Sequence, residues 1–122
     1  MKITKIFFHI INLIFLIFYL YPGSILGFLL YSNFSKQPQV TPDFYFSSNH
    51  VYAFIVLTLF GLISHINKKN IIIYFVFISI FLEIAHIVIP NRSFQFADLF
   101  GNILGVIISI LIVRIYNYLE KK

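Results

Sequence analysis

A chain of 122 residues in which 60% are hydrophobic and 11% charged cannot cover a water-soluble domain of its size with polar surface, which excludes an ordinary soluble enzyme or binding module. The absence of cysteine excludes disulfides, thiolate metal sites and thiol nucleophiles. A net charge of +5 would suit nucleic acid in a soluble protein, but in so apolar a chain the basic residues mark membrane topology, and no nucleic-acid partner is expected.

Spanning a hydrocarbon core of roughly 30 Å as a helix takes about 20 apolar residues. The first candidate, residues 6–21, is almost wholly Ile, Leu, Phe and Tyr. It either continues as a kinked helix through Pro22 and Gly23 into the apolar run 24–31 or breaks there in an interfacial turn. Residues 51–66, 71–89 and 96–116 follow. None of the four alternates apolar and polar residues as a membrane barrel strand does, so all are expected to be helices. No linker or repeat divides the chain. It is expected to be one all-α integral membrane domain over residues 1–122, a small bundle of four transmembrane helices.

Loop charge sets the direction. Lys2, Lys5, Lys68, Lys69, Arg114, Lys121 and Lys122 make seven of the nine basic residues, all at the termini or in the short 67–70 turn. The other two connections carry only Lys36 and Arg92. Positive loops stay inside, so both termini are expected in the cytoplasm, with 32–49 and 90–97 outside. The basic start at Met1 to Lys5 also resembles a signal peptide, but no small-residue cleavage site follows, and the segment is expected to be retained.

Small residues suggest the packing. Gly101, Gly105 and Ser109 lie four apart on one face of the last helix, as Ala53, Leu57 and Gly61 do on the second, which suits close backbone approach within the molecule more than a homodimer interface.

Ionisable groups in a bilayer cost roughly 2.5–3.5 kcal/mol each on insertion scales, so each must be paired, hydrated or functional. His50, Glu83, His86, Arg92, Asp98 and Asn102 lie in or beside the outer half of the helices. Ser79, Glu83 and His86 follow i, i+4, i+7, as do Asp98, Asn102 and Gly105, so both sets form single helical faces. With those faces turned inward, the six residues make one outward-opening polar cluster. Glu83, seven residues before Pro90, is expected about 10 Å below the helix end. Each residue also has a purely structural reading: Asp98 as an N-cap paired with Arg92, Glu83 locked to Asn102 or His50, and His86 as a satisfied interior histidine. His9, Asn12 and His65, at the inner ends, read as interfacial or packing residues.

Glu83-x-x-His86 matches half of the Glu-x-x-His pattern of di-iron bundles, but those sites need a second copy and further glutamates, and this chain has only two Glu and two Asp. No metal and no cofactor are expected. Neither a metalloprotease, a serine-hydrolase nor a phosphate-loop motif occurs, so binding is expected over catalysis.

The run Glu83-Ile-Ala-His86, Pro90-Asn91-Arg92-Ser93-Phe94, Ala97-Asp98 and Asn102-Ile-Leu-Gly105 resembles the end of the VanZ-like membrane proteins. His50 resembles the histidine that opens the family's preceding helix, and Tyr21-Pro22 extends the likeness loosely. The family's usual Asp-Lys before that histidine is replaced by Phe46-Ser47-Ser48-Asn49, and His86 stands where Gln is usual. The resemblance implies a multi-pass cell-envelope protein of the bacterial inner membrane, in a family named for an association with teicoplanin resistance. Three readings follow: a binding protein for a polar or anionic lipid headgroup, lipid-linked envelope precursor or glycopeptide; a structural or partner membrane subunit; and an intramembrane enzyme with Glu83 or His50 as acid/base.

Overall fold

The computed structural model describes residues 2–65 and 67–122, and it is all-helical in this range: α1 (Lys2–Leu20), α2 (Ile25–Tyr31), α3 (Ser48–Ser64), α4 (Lys68–Ala85) and α5 (Phe96–Glu120). α1 and α5 are long and apolar enough to cross a membrane. At 1.5 Å per residue they extend roughly 28 and 37 Å. The expected end of the second segment at Ile66, and Met1 at the start of the expected 1–122 domain, lie outside the described residues.

The element limits differ from the sequence reading where local chemistry decides them. α1 ends at Leu20, because Pro22 lacks an amide hydrogen and Gly23 takes φ +134°. The chain then turns into α2, a separate short helix capped by Ser24 Oγ on the Gly27 amide. The third segment stops being α-helical at Ala85 rather than Ile89. His86, Ile87 and Val88 instead bond three residues back, to the carbonyls of Glu83, Ile84 and Ala85, the tighter winding common at helix ends. Pro90 then leads into a turn in which Asn91 takes φ +61° and the Arg92 amide bonds to the Ile89 carbonyl at 3.3 Å, the pattern of a type II turn. α5 runs on to Glu120, four residues past the expected end.

α5 lies closest to α3 and packs more lightly on α4. The seam is lined by the small residues of α5: a Cβ on Gly105 would meet Phe54 Cβ and the Val51 carbonyl, each at 2.7 Å. One turn further on, the Ser109 hydroxyl is shared between the Gly105 carbonyl of its own helix at 2.9 Å and the Ile55 carbonyl across the seam at 3.1 Å. The core between the helices is mainly Phe8, Phe54, Leu62, Phe75, Leu82 and Val106. Most of the outward face of α1 is bare Ile, Leu and Phe, as a lipid-facing surface requires.

Residues 33–47 fold over the start of α3. Asp43 accepts the Ser48 amide at 2.9 Å, capping α3 from five residues upstream, while Asn49 Nδ2 reaches back to the Pro38 carbonyl at 2.6 Å. The Asp43 carboxyl is held below the usual carboxylate range, chiefly by the Ser48 amide and against some desolvation.

Candidate polar ligand site

Four helices converge on one hydroxyl. Tyr19, in the last turn of α1 and 8% exposed, donates to Glu83 Oε2 of α4 at 2.7 Å. The same oxygen accepts from Asn102 Nδ2 of α5 at 2.8 Å and lies 2.9 Å from His50 Nδ1 of α3. Glu83 and Asn102 are wholly buried, so these contacts replace the water that each group would otherwise hold. The second Glu83 oxygen accepts the Gln95 amide at 2.9 Å. That bond draws the turn before α5 over the carboxylate, so Glu83 is buried beneath this turn, two residues before the last residue of α4.

The network fixes the protons. The Ser79 carbonyl can only accept, and Asn102 Nδ2 donates to it at 3.0 Å, so Asn102 Oδ1 must be the atom facing His50 Nδ1 at 2.8 Å. An amide oxygen only accepts, so Nδ1 carries hydrogen. His50 Nε2 then faces Asp98 Oδ1, 3.7 Å away. His86 follows the same logic: its Nε2 must donate to the Tyr19 carbonyl at 2.8 Å, which turns Nδ1 toward Glu83 Oε2 at 3.5 Å. Its ring also stacks on that of Tyr19, with centroids 4.7 Å apart.

Of the six residues singled out in the sequence, His50, Glu83 and Asn102 join through Tyr19, His86 packs on the same tyrosine, and Asp98 flanks His50. Arg92 stands apart from the carboxylates. Its guanidinium donates to the carbonyls of Tyr21 at 3.0 Å, Phe18 at 3.2 Å and Gly23 at 2.6 Å, closing the C-terminal end of α1, where orphan carbonyls favour a cation. The Arg92–Asp98 pair is therefore not formed, and neither Asp98 nor Glu83 orients the guanidinium directly. Burial lowers the Arg92 pKa from its ordinary value. Asp98 is not the N-cap either: that position is Gln95, and Asp98 sits in the first turn of α5, where its charge still faces the amide end of the helix.

The sequence reading passed over Tyr19, Gln95 and the backbone carbonyl of Ser79. A tyrosine hydroxyl in an otherwise apolar span needs a partner, and that was the available signal for Tyr19. Gln95 and Ser79 act through backbone atoms, which side-chain spacing does not reveal. At the other end of the bundle, His65 approaches the Gly61 carbonyl at 3.1 Å and sets its ring edge against His9, while Asn12 donates to the Tyr74 hydroxyl.

Two cavities adjoin the cluster. One of about 420 Å³ is mostly apolar and reaches from Phe15, Phe18 and Tyr19 to Ile25, Leu26 and Ala53. The other, of about 270 Å³, is polar and is lined by Asp43, Ser47, Asn91, Ser93, Gln95 and Asp98. Gln37, Asn49, His50, His86 and Arg92 line both.

The chain is thus an all-helical protein with two helices apolar enough for a membrane and a buried polar cluster at one end of the bundle. The VanZ/LLP1 family model matches residues 3–117, and the chain belongs to that family. Neither a curated protein nor a solved structure matches it.

Proposed function

We propose that this VanZ-like protein is a multi-pass protein of the bacterial inner membrane that binds an amphiphile in the outer leaflet. In this reading α1, α3, α4 and α5 cross the bilayer, both termini are cytoplasmic, and the cluster opens outward. The observation that carries it is the wall shared by the two cavities: an apolar space and a polar one meet at His50, His86 and Arg92. A lipid, a lipid-linked envelope precursor or an acylated glycopeptide has that division between chain and headgroup, with polar groups few and placed at one end. The Arg92 guanidinium, already engaged with α1, supplies positive charge at the junction more than a free fork for a phosphate.

Native mass spectrometry of the detergent-extracted protein tests this. An amphiphile should accompany the wild type and be lost on Ala53→Phe, which fills the apolar space without touching the polar cluster. Equal occupancy in both proteins overturns the reading. The link to teicoplanin-type resistance has its own test: drug susceptibility on deletion and with Arg92→Ala, where no change in either strain removes it.

A further inference from the structure

We infer that His50, Glu83 and Asp98 form a binding site for one divalent transition-metal ion of the Zn²⁺ or Mn²⁺ kind. The three residues come from three helices, and one ligand atom from each lies within 4.8 Å of the others. Sequence spacing gave no sign of this, since the Glu-x-x-His pattern points to His86, whereas the third ligand is His50 on another helix.

Proximity alone would not carry the inference; the way the ring and the carboxylates are held adds to it. The chain of bonds from the Ser79 carbonyl through Asn102 engages His50 Nδ1 and leaves Nε2 as the ring nitrogen available to ligate. Opposite it stands another electron-pair donor, Asp98 Oδ1, at 3.7 Å. That gap is too long for an N–H···O bond, which spans about 2.7–3.2 Å. It is close to the separation of two atoms bound to one metal ion at roughly 2.0–2.2 Å each. A histidine whose other nitrogen donates to a carbonyl oxygen is also how metal-bound imidazoles are held, and a ligating carboxylate is in turn hydrogen-bonded. Glu83 fits, held by the Tyr19 hydroxyl and the Gln95 amide.

Charge points the same way. Glu83 and Asp98 lie within reach of one ion, and Arg92 bonds the carbonyls of Phe18, Tyr21 and Gly23 instead of either acid. A divalent ion would balance both acids. One imidazole with two carboxylates selects a borderline ion over Ca²⁺ or Mg²⁺, which favour all-oxygen shells. His50 and Asp98 side chains keep 15% and 17% exposure, so they border the polar cavity and have room to close on an ion.

The test uses full-length protein in detergent, without a polyhistidine tag, stripped by chelator and then given Zn²⁺ or Mn²⁺. One equivalent of metal per chain should remain after gel filtration and resist excess Mg²⁺. His50→Gln and Asp98→Asn should each abolish retention, His65→Gln should not, and Asn102→Ala should weaken binding roughly 10- to 100-fold by releasing the His50 tautomer. No retained metal, or metal undiminished in the His50→Gln/Asp98→Asn double variant, overturns the proposal. If the variants fail to fold, X-ray absorption of the wild type decides: one imidazole with oxygen ligands supports the site, and a shell of several histidines or of oxygen alone refutes it. Because the readout is metal, failure here leaves the amphiphile reading standing.

Discussion

Tyr19 brings α1 into the polar end of the bundle through a single oxygen. Removing that oxygen strips Glu83 of one of its donors and Asn102 of an acceptor, and a buried polar group left unpaired costs roughly 1–3 kcal/mol. Tyr19→Phe, which keeps the ring and its stacking on His86, should therefore lower the unfolding temperature of the detergent-solubilised protein. An unchanged melting curve would show that the hydroxyl is not the junction described here. Glu83→Gln discriminates between roles: a cluster that only locks the helices predicts depletion of the protein from the membrane, whereas normal levels with lost metal or amphiphile mark a binding site.

The helices owe their arrangement to small residues and to caps. Gly105 meets the backbone of α3 so closely that even a methyl group would push the helices apart. Gly105→Leu should cost at least the roughly 1–3 kcal/mol of an overpacked core, because backbone rather than a mobile side chain is displaced. Loss of folded protein in detergent is the expected readout, and a normal melting temperature would contradict the seam. At the start of α3, Asp43 gives a pH dependence with a definite sign. Its folded pKa lies below the ordinary carboxylate value, so its contribution is present above that ordinary value, about 3.9, and is lost as pH falls through the depressed folded value. Asp43→Asn should slow-exchange fewer amides around residues 38–48 than wild type at neutral pH, with the difference vanishing in acid. A difference that persists below the folded pKa would remove the carboxylate from the explanation.

For the whole molecule, the testable expectation is topology. Cysteine-free as it stands, the chain accepts single reporter cysteines at Lys36, Asn70 and Lys121. With four crossings, an impermeant thiol reagent should label only the Lys36 position in intact cells, and labelling of either other site would reverse or break the orientation.

The apolar runs and their lack of alternation by themselves determined that the chain is helical and suited to a membrane, because hydrophobic content and period are local properties. The ordered residues from Glu83 to Gly105 were enough to indicate the family, which the match over residues 3–117 establishes. Tertiary structure alone decided who meets whom at the polar end. Arg92 goes to the carbonyls of α1 rather than to Asp98, and Tyr19 becomes the junction. His50 Nε2 comes to face Asp98 because Asn102, on another helix, holds the other ring nitrogen. Those outcomes depend on backbone carbonyls and on where helices end, and neither is encoded in the spacing of side chains along one helix.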